Sequence, residues 1–204
     1  MKRPALALLA LALAAAPAAR AADAPGDARP AGAPGDARPA GAPVIVPTRD
    51  VDVLYQTDQG GQRLQQRLRW DARDQLMRVD SPSPGLWMLV QYRNRRIYMV
   101  SEPQRSILEM GATAGPLPGQ PGGASFTRRG TDQVAGVACT QWEAADTQGQ
   151  ATLACLTDDG VMLRATRGRV VLIQAERVTY GAQDPAIFKL PDYPRTQEPG
   201  PAEQ

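Results

Sequence analysis

The sequence predicts a mainly β domain, and three observations carry that prediction. Short apolar stretches with period-two alternation follow one another along the chain. Turn-forming residues separate them at intervals of about 8 to 12 residues, and no stretch sustains apolar residues at helical spacing for long. Candidate strands lie at 51–57, 62–70, 75–80, 86–92, 96–100, 105–110, 126–129, 137–145, 150–157, 161–166 and 169–180, an antiparallel arrangement of about 10 to 11 strands. The one helical element expected is a short turn near the C-terminus, where Asp184 can cap and Pro185 suits a first helical position.

Two segments with other signatures precede the strands. Lys2 and Arg3, the Ala/Leu run at 5–16 and the small-x-small triplet Ala19, Arg20, Ala21 predict a signal peptide over 1–21. Its apolar run is shorter than the roughly 18 residues a spanning helix needs, so the expected product is soluble, periplasmic and not membrane-spanning. No Cys lies near the cleavage point, which argues against a lipid anchor. Residues 24–32 read APGDARPAG and 33–41 repeat them letter for letter, so 22–43 is expected to be a disordered linker with nothing large to bury. Residues 44–195 are then a single β-rich domain, and 196–204 a flexible tail.

Composition narrows the chemistry. Lys and Arg total 23 against 21 Asp and Glu, a net charge of +2 that does not announce a nucleic-acid partner. The chain has no His, which removes the commonest general base and the commonest metal ligand. No Gly-rich loop opens a helix, no Ser stands in a Gly-x-Ser-x-Gly context and no cluster has metal-ligand spacing, so neither enzyme activity nor a cofactor is expected.

Along the strands, 62–70 splits into Leu64, Leu68 and Trp70 on one side and Arg63, Arg67 and Arg69 on the other. The arginines read first as a solvated face, and secondly as a contact for anionic headgroups or an acidic partner. Arg93, Arg95 and Arg96 at a turn admit the same two readings. Met77, Met88, Met99 and Met110 recur every 11 residues, one on each of four successive strands. With turns centred at 82–83, 93–94 and 104–105, a meander sets them in one row. Alternation gives that face Met77, Val79, Leu86, Met88, Val90, Ile97, Met99, Leu108 and Met110, and the opposite face Arg78, Asp80, Trp87, Gln91, Tyr98 and Glu109. The row reads first as ordinary core, then as an adaptable surface for apolar ligands, and last as a Cu(I) site.

After a Gly/Pro-rich loop at 111–123, Cys139 and Cys155 are the only cysteines of an exported chain, and a structural disulfide is expected. They lie symmetrically about Thr147, so a hairpin turning within 146–149 sets them directly opposite each other. Asp158, Asp159 and Gly160 form a carboxylate pair in appearance, but Asp-Gly between two short strands reads as a turn.

The segments VAGVAC at 134–139, LACLTDDGVML at 153–163 and IFKLPDY at 187–193 resemble periplasmic domains of the LolA/LolB-like superfamily. The resemblance implies a strongly curved sheet, a half-open barrel, whose concave face holds acyl chains or a partner segment. Carriers in that superfamily cover the concavity with helices, whereas 111–123 has no helical pattern, so the likeness is to an uncharacterised relative rather than to a true lipoprotein carrier. The leading expectation is a non-enzymatic envelope protein binding a lipid or lipoprotein acyl chain on the Met-lined face. The alternative is an interaction or structural module presenting Trp87 and Tyr98 to an envelope protein partner, followed by a Met-based copper-binding protein.

Overall fold

In the computed structural model, twelve strands form one open sheet. They are β1 (Val51–Gln59), β2 (Gln62–Asp71), β3 (Leu76–Asp80), β4 (Leu86–Gln91), β5 (Arg96–Ser101), β6 (Ser106–Met110), β7 (Ser125–Val134), β8 (Val137–Ala145), β9 (Ala151–Leu156), β10 (Met162–Arg167), β11 (Val170–Tyr180) and β12 (Arg195–Gln197). The structure describes residues 41–59, 61–110, 125–145 and 151–197, all within the unit 39–204. The expected signal peptide, most of the linker, the 111–123 loop, the 146–149 turn and residues 198–204 of the tail lie outside the described residues.

The strand order is β12-β6-β5-β4-β3-β2-β1-β11-β10-β9-β8-β7, antiparallel throughout except for the parallel pair β12 and β6. Each antiparallel pair except β1–β11 joins strands consecutive in the chain, as an alternating pattern with frequent turn residues requires. The β7–β8 turn has both central residues, Ala135 and Gly136, at positive φ (50° and 75°), the twist that suits a two-residue hairpin. The turns at 92–95 and 102–105 each end on a left-handed arginine, Arg95 and Arg105. The expected helical turn is a 3₁₀ turn, Pro185–Phe188, with the Asp184 carboxylate accepting from the Ala186 N–H at 2.9 Å.

Two clusters share the sheet. On the inner face Val51, Val53, Tyr55, Trp70, Met77, Val79 and Val90 pack with Cys139, Cys155, Val161, Leu163 and Ala175. On the outer face Trp87, Leu89, Tyr98, Val100 and Ile107 pack beneath Phe188, with Ile187, Leu190 and Tyr193 around it. The chain after β11 therefore crosses the outer face and then pairs with β6 as β12. Thr196 and Gln197, expected in the tail, belong to that strand, because their backbone continues a ladder that the Ile107 N–H opens by donating to the Pro194 carbonyl at 3.0 Å.

This packing corrects the reading that Trp87 and Tyr98 face a partner: they are 4 % and 5 % exposed, covered by the chain's own C-terminal segment. The Arg78 guanidinium stacks on the Trp87 ring at 3.9 Å and donates to the Ile187 carbonyl at 2.8 Å, which pins the segment down. The arginine face of β2 is also largely answered within the sheet. Arg67 forms a two-pronged pair with Asp52, and Arg69 shares Asp80 with Arg78. Of the second cluster, Arg93 donates to the Arg73 carbonyl and Arg96 pairs with the buried Glu109.

Candidate ligand-binding face

Register decides which side chains meet. Val53 lies opposite Leu68, Leu68 opposite Val79, Val79 opposite Met88, Met88 opposite Met99, and Met99 opposite Leu108. One apolar row thus runs over β1 to β6 on the inner face. The nine residues assigned to that face share it, since directly paired residues of antiparallel strands point the same way. The four-Met row itself does not form. Met77 lies opposite Val90 and Met110 opposite Ile97, each two positions out of line. The cause is where the turns centre. The β3–β4 turn centres between Ser83 and Pro84, one residue later than the sequence suggested. The β5–β6 turn, closed by the Arg105 N–H donating to the Glu102 carbonyl, centres between Pro103 and Gln104, one residue earlier. Only Met88 and Met99 are direct partners, and the register does not bring three thioethers to one row position as a Cu(I) site would need.

Burial is graded along the face. Val90 is fully buried, Met77 and Val79 are 8 % exposed, Met99 and Leu108 stand 37 % and 38 % exposed toward the β12 edge, and Leu86 is 37 % exposed at the start of β4. Met88, Ile97 and Met110 are half-buried. At the buried end is a cavity of about 230 Å³. Met77, Val79 and Met88 line it, together with Leu68 from β2 and Ile173 from β11. Val161 and Met162 also reach it, although β10 is five places from β4 in the sheet, about 24 Å on a flat surface. The sheet is therefore concave here.

The remaining wall is the segment before β1, through Ile45, Val46 and Pro47. In the sequence this stretch reads only as the start of the domain; its signal is the apolar run 44–47 ahead of a polar Thr48. Asp159 fastens it. Its carbonyl accepts from the Thr48 N–H at 2.9 Å, and its carboxylate pairs with Arg49 at 2.5 Å and accepts from Thr157 and Tyr180. Burial opposes ionisation of Asp159, yet the bonds from Thr157 and Arg49 outweigh it and hold the carboxyl below its ordinary range. The expected turn at 158–160 is present, and its aspartate ties the cavity wall to the sheet as well.

No Asp, Glu, Lys or Arg lines the cavity. Its two phenols are polar only at their tips: Tyr55 donates to the Met162 carbonyl at 2.6 Å and Tyr92 to the Met77 sulfur at 3.7 Å. Burial pushes both phenol pKa values far up, so both stay neutral at physiological pH. The arrangement can hold an uncharged apolar group. Cys139 and Cys155 are disulfide-bonded, 5.5 Å apart between Cα atoms, on the same face. Gln141 rather than Cys139 lies opposite Cys155, so the bridge spans a diagonal and not a direct pair.

No protein-family model matches the chain, and no curated protein matches it significantly. Among solved structures it is similar to an uncharacterized conserved protein from Thermus thermophilus, with TM-score 0.55 at 12% identity over 74% of this chain and 91% of that one. It is similar to PNGF-II, with TM-score 0.52 at 12% identity over 74% of this chain, which spans only 32% of PNGF-II. The likeness to MucB, TM-score 0.48 at 13% identity over 73% of this chain and 60% of MucB, is too slight to carry an argument. What is shared with the first two is the fold.

Proposed function

We propose that the protein is a non-enzymatic, exported envelope protein that holds the acyl chain of a lipid or lipoprotein in the concave inner face. The observation that carries this is the uncharged cavity of about 230 Å³ continued by an apolar row that rises to exposed Met99 and Leu108. An apolar cavity of about 150 Å³ already stays dry and takes up benzene, so this one has room for a run of methylenes, each worth about 0.8 kcal/mol on burial. The exposed row gives the rest of a chain somewhere to lie. The disulfide suits an oxidising compartment, and the resemblance to the LolA/LolB-like superfamily supports the same reading.

Titration with a fluorescent fatty-acid probe tests it. Wild-type protein should bind saturably. Met88→Arg should weaken binding more than about ten-fold, because it sets an unpaired charge in an apolar wall. Met88→Leu, which conserves volume, should retain both binding and fold. Folded wild-type protein that takes up no probe would refute the reading and leave the Met face as core.

A further inference from the structure

The outward end of the β10–β11 hairpin carries apolar side chains with no partner in the sheet. Val170, Val171 and Leu172 are consecutive and 58 %, 41 % and 36 % exposed, half of the exposed large apolar residues among those described. A bulge at Leu172, where Ala165 pairs with Ile173 but Thr166 with Val171, interrupts the alternation, so the register puts Val170 on the inner side with Ala165 and Val171 on the outer side with Thr166. A strand with one wet face carries polar residues there, as β11 does further along at Gln174 and Arg177. At its start both faces carry apolar residues, and no curvature of the sheet buries both sides of the tip at once.

Arginines surround these three residues. Arg167 and Arg169 flank the turn at Gly168, and Arg63 reaches the same place from the β1–β2 hairpin. All three are exposed, and none forms an ion pair among the described residues, unlike Arg67, Arg69 and Arg164 further along the same strands. Arg63 and Arg169 line an open cleft of about 560 Å³ whose walls also include Val170, Val171, Gln174 and one carboxylate, Asp58. Two guanidinium groups against one carboxylate leave the cleft with a positive balance of charge.

We propose that this tip docks on an anionic phospholipid surface, with Val170, Val171 and Leu172 entering the headgroup region and Arg63, Arg167 and Arg169 pairing with lipid phosphates. Apolar residues on both faces suit insertion between headgroups, where both sides are covered at once. Guanidinium groups match phosphate oxygens in pairs and add attraction to a negative surface. The docking is independent of whether the inner face holds an acyl chain. Ile173, the next residue along, already lines the inner cavity, so a docked tip would bring that cavity close to the bilayer.

Flotation with vesicles tests the proposal. Wild-type protein should float with phosphatidylcholine vesicles containing phosphatidylglycerol, less at high salt, and not with phosphatidylcholine alone. Val170→Ser combined with Leu172→Ser should weaken binding at least about ten-fold. Arg169→Gln should weaken it about five-fold. Each variant changes exposed side chains, and an unchanged melting temperature confirms an intact fold. Undiminished flotation of either variant, or none by wild-type protein, overturns the proposal. So does concentration-dependent dimerisation in sedimentation velocity that the Val170→Ser, Leu172→Ser variant abolishes, since the tip would then be a contact between copies.

Discussion

Asp159 shows how one side chain can join three parts of the chain. Its carboxylate holds Arg49 next to the cavity wall, Thr157 of its own turn and Tyr180 at the end of β11, while its backbone carbonyl holds the Thr48 N–H. Because its folded-state carboxyl is held below the ordinary value, its contribution is fully present above the unfolded pKa of about 3.9 and is lost as pH falls through the lower folded value. Urea unfolding from neutral pH into that acid range should therefore show wild-type protein losing more stability than Asp159→Asn, which starts about 2 kcal/mol weaker. Parallel pH profiles for the two would show that the carboxylate is not coupled to folding. The neighbouring Gly160 has φ of +92°, and a Cβ there would meet the Val46 carbonyl oxygen at 2.5 Å. Gly160→Ala should destabilise by more than about 1 kcal/mol and speed amide exchange at 44–50, and unchanged exchange would show that the wall is held elsewhere. The Asp-Gly turn was legible from residue chemistry alone. Its grip on a segment 110 residues away in sequence was not, because local preference carries no record of distant contacts.

At the scale of elements, the turns decide what meets what. Ala135 sits at φ +50° in the first position of a two-residue turn that favours Asn or Gly, a conformation costing an L-residue roughly 1–2 kcal/mol. Ala135→Asn should therefore raise stability by about 1 kcal/mol and the melting temperature by about 2–4 °C, and a lower melting temperature would mean that the Ala methyl packs usefully. The eleven long strands were legible because each alternates between two buried faces or a buried and a wet one. Their faces were legible too, since alternation is local. Register was not: a turn centred one residue away moves partners by two without changing the face, which is how Met77 and Met110 leave the row while remaining on the right side. β12 escaped notice for a different reason. Three exposed residues, Arg195, Thr196 and Gln197, have no pattern of their own and are strand only because β6 offers a free edge.

At the scale of the whole described unit, the inner and outer clusters are built on alternate residues of the same strands. On β4, Trp87 and Leu89 serve the outer cluster while Met88 and Val90 serve the inner face, so the backbone that presents one must present the other. Such a sheet cannot release its C-terminal cover without loosening the strands that carry the cavity, and the two clusters should unfold together. Single-tryptophan variants can report on each: Trp70, 1 % exposed, for the inner cluster and Trp87, 4 % exposed, for the outer. Their urea transitions should coincide. Phe188→Ala, which empties the centre of the outer cover, should cost about 3 kcal/mol and shift both transitions equally. If only the Trp87 transition moved, the segment over the outer face would be an independently melting lid. Equal shifts would instead mean that any ligand stabilising the inner cavity also tightens the C-terminal segment on the opposite face, because binding to the folded state raises the stability of everything that unfolds with it.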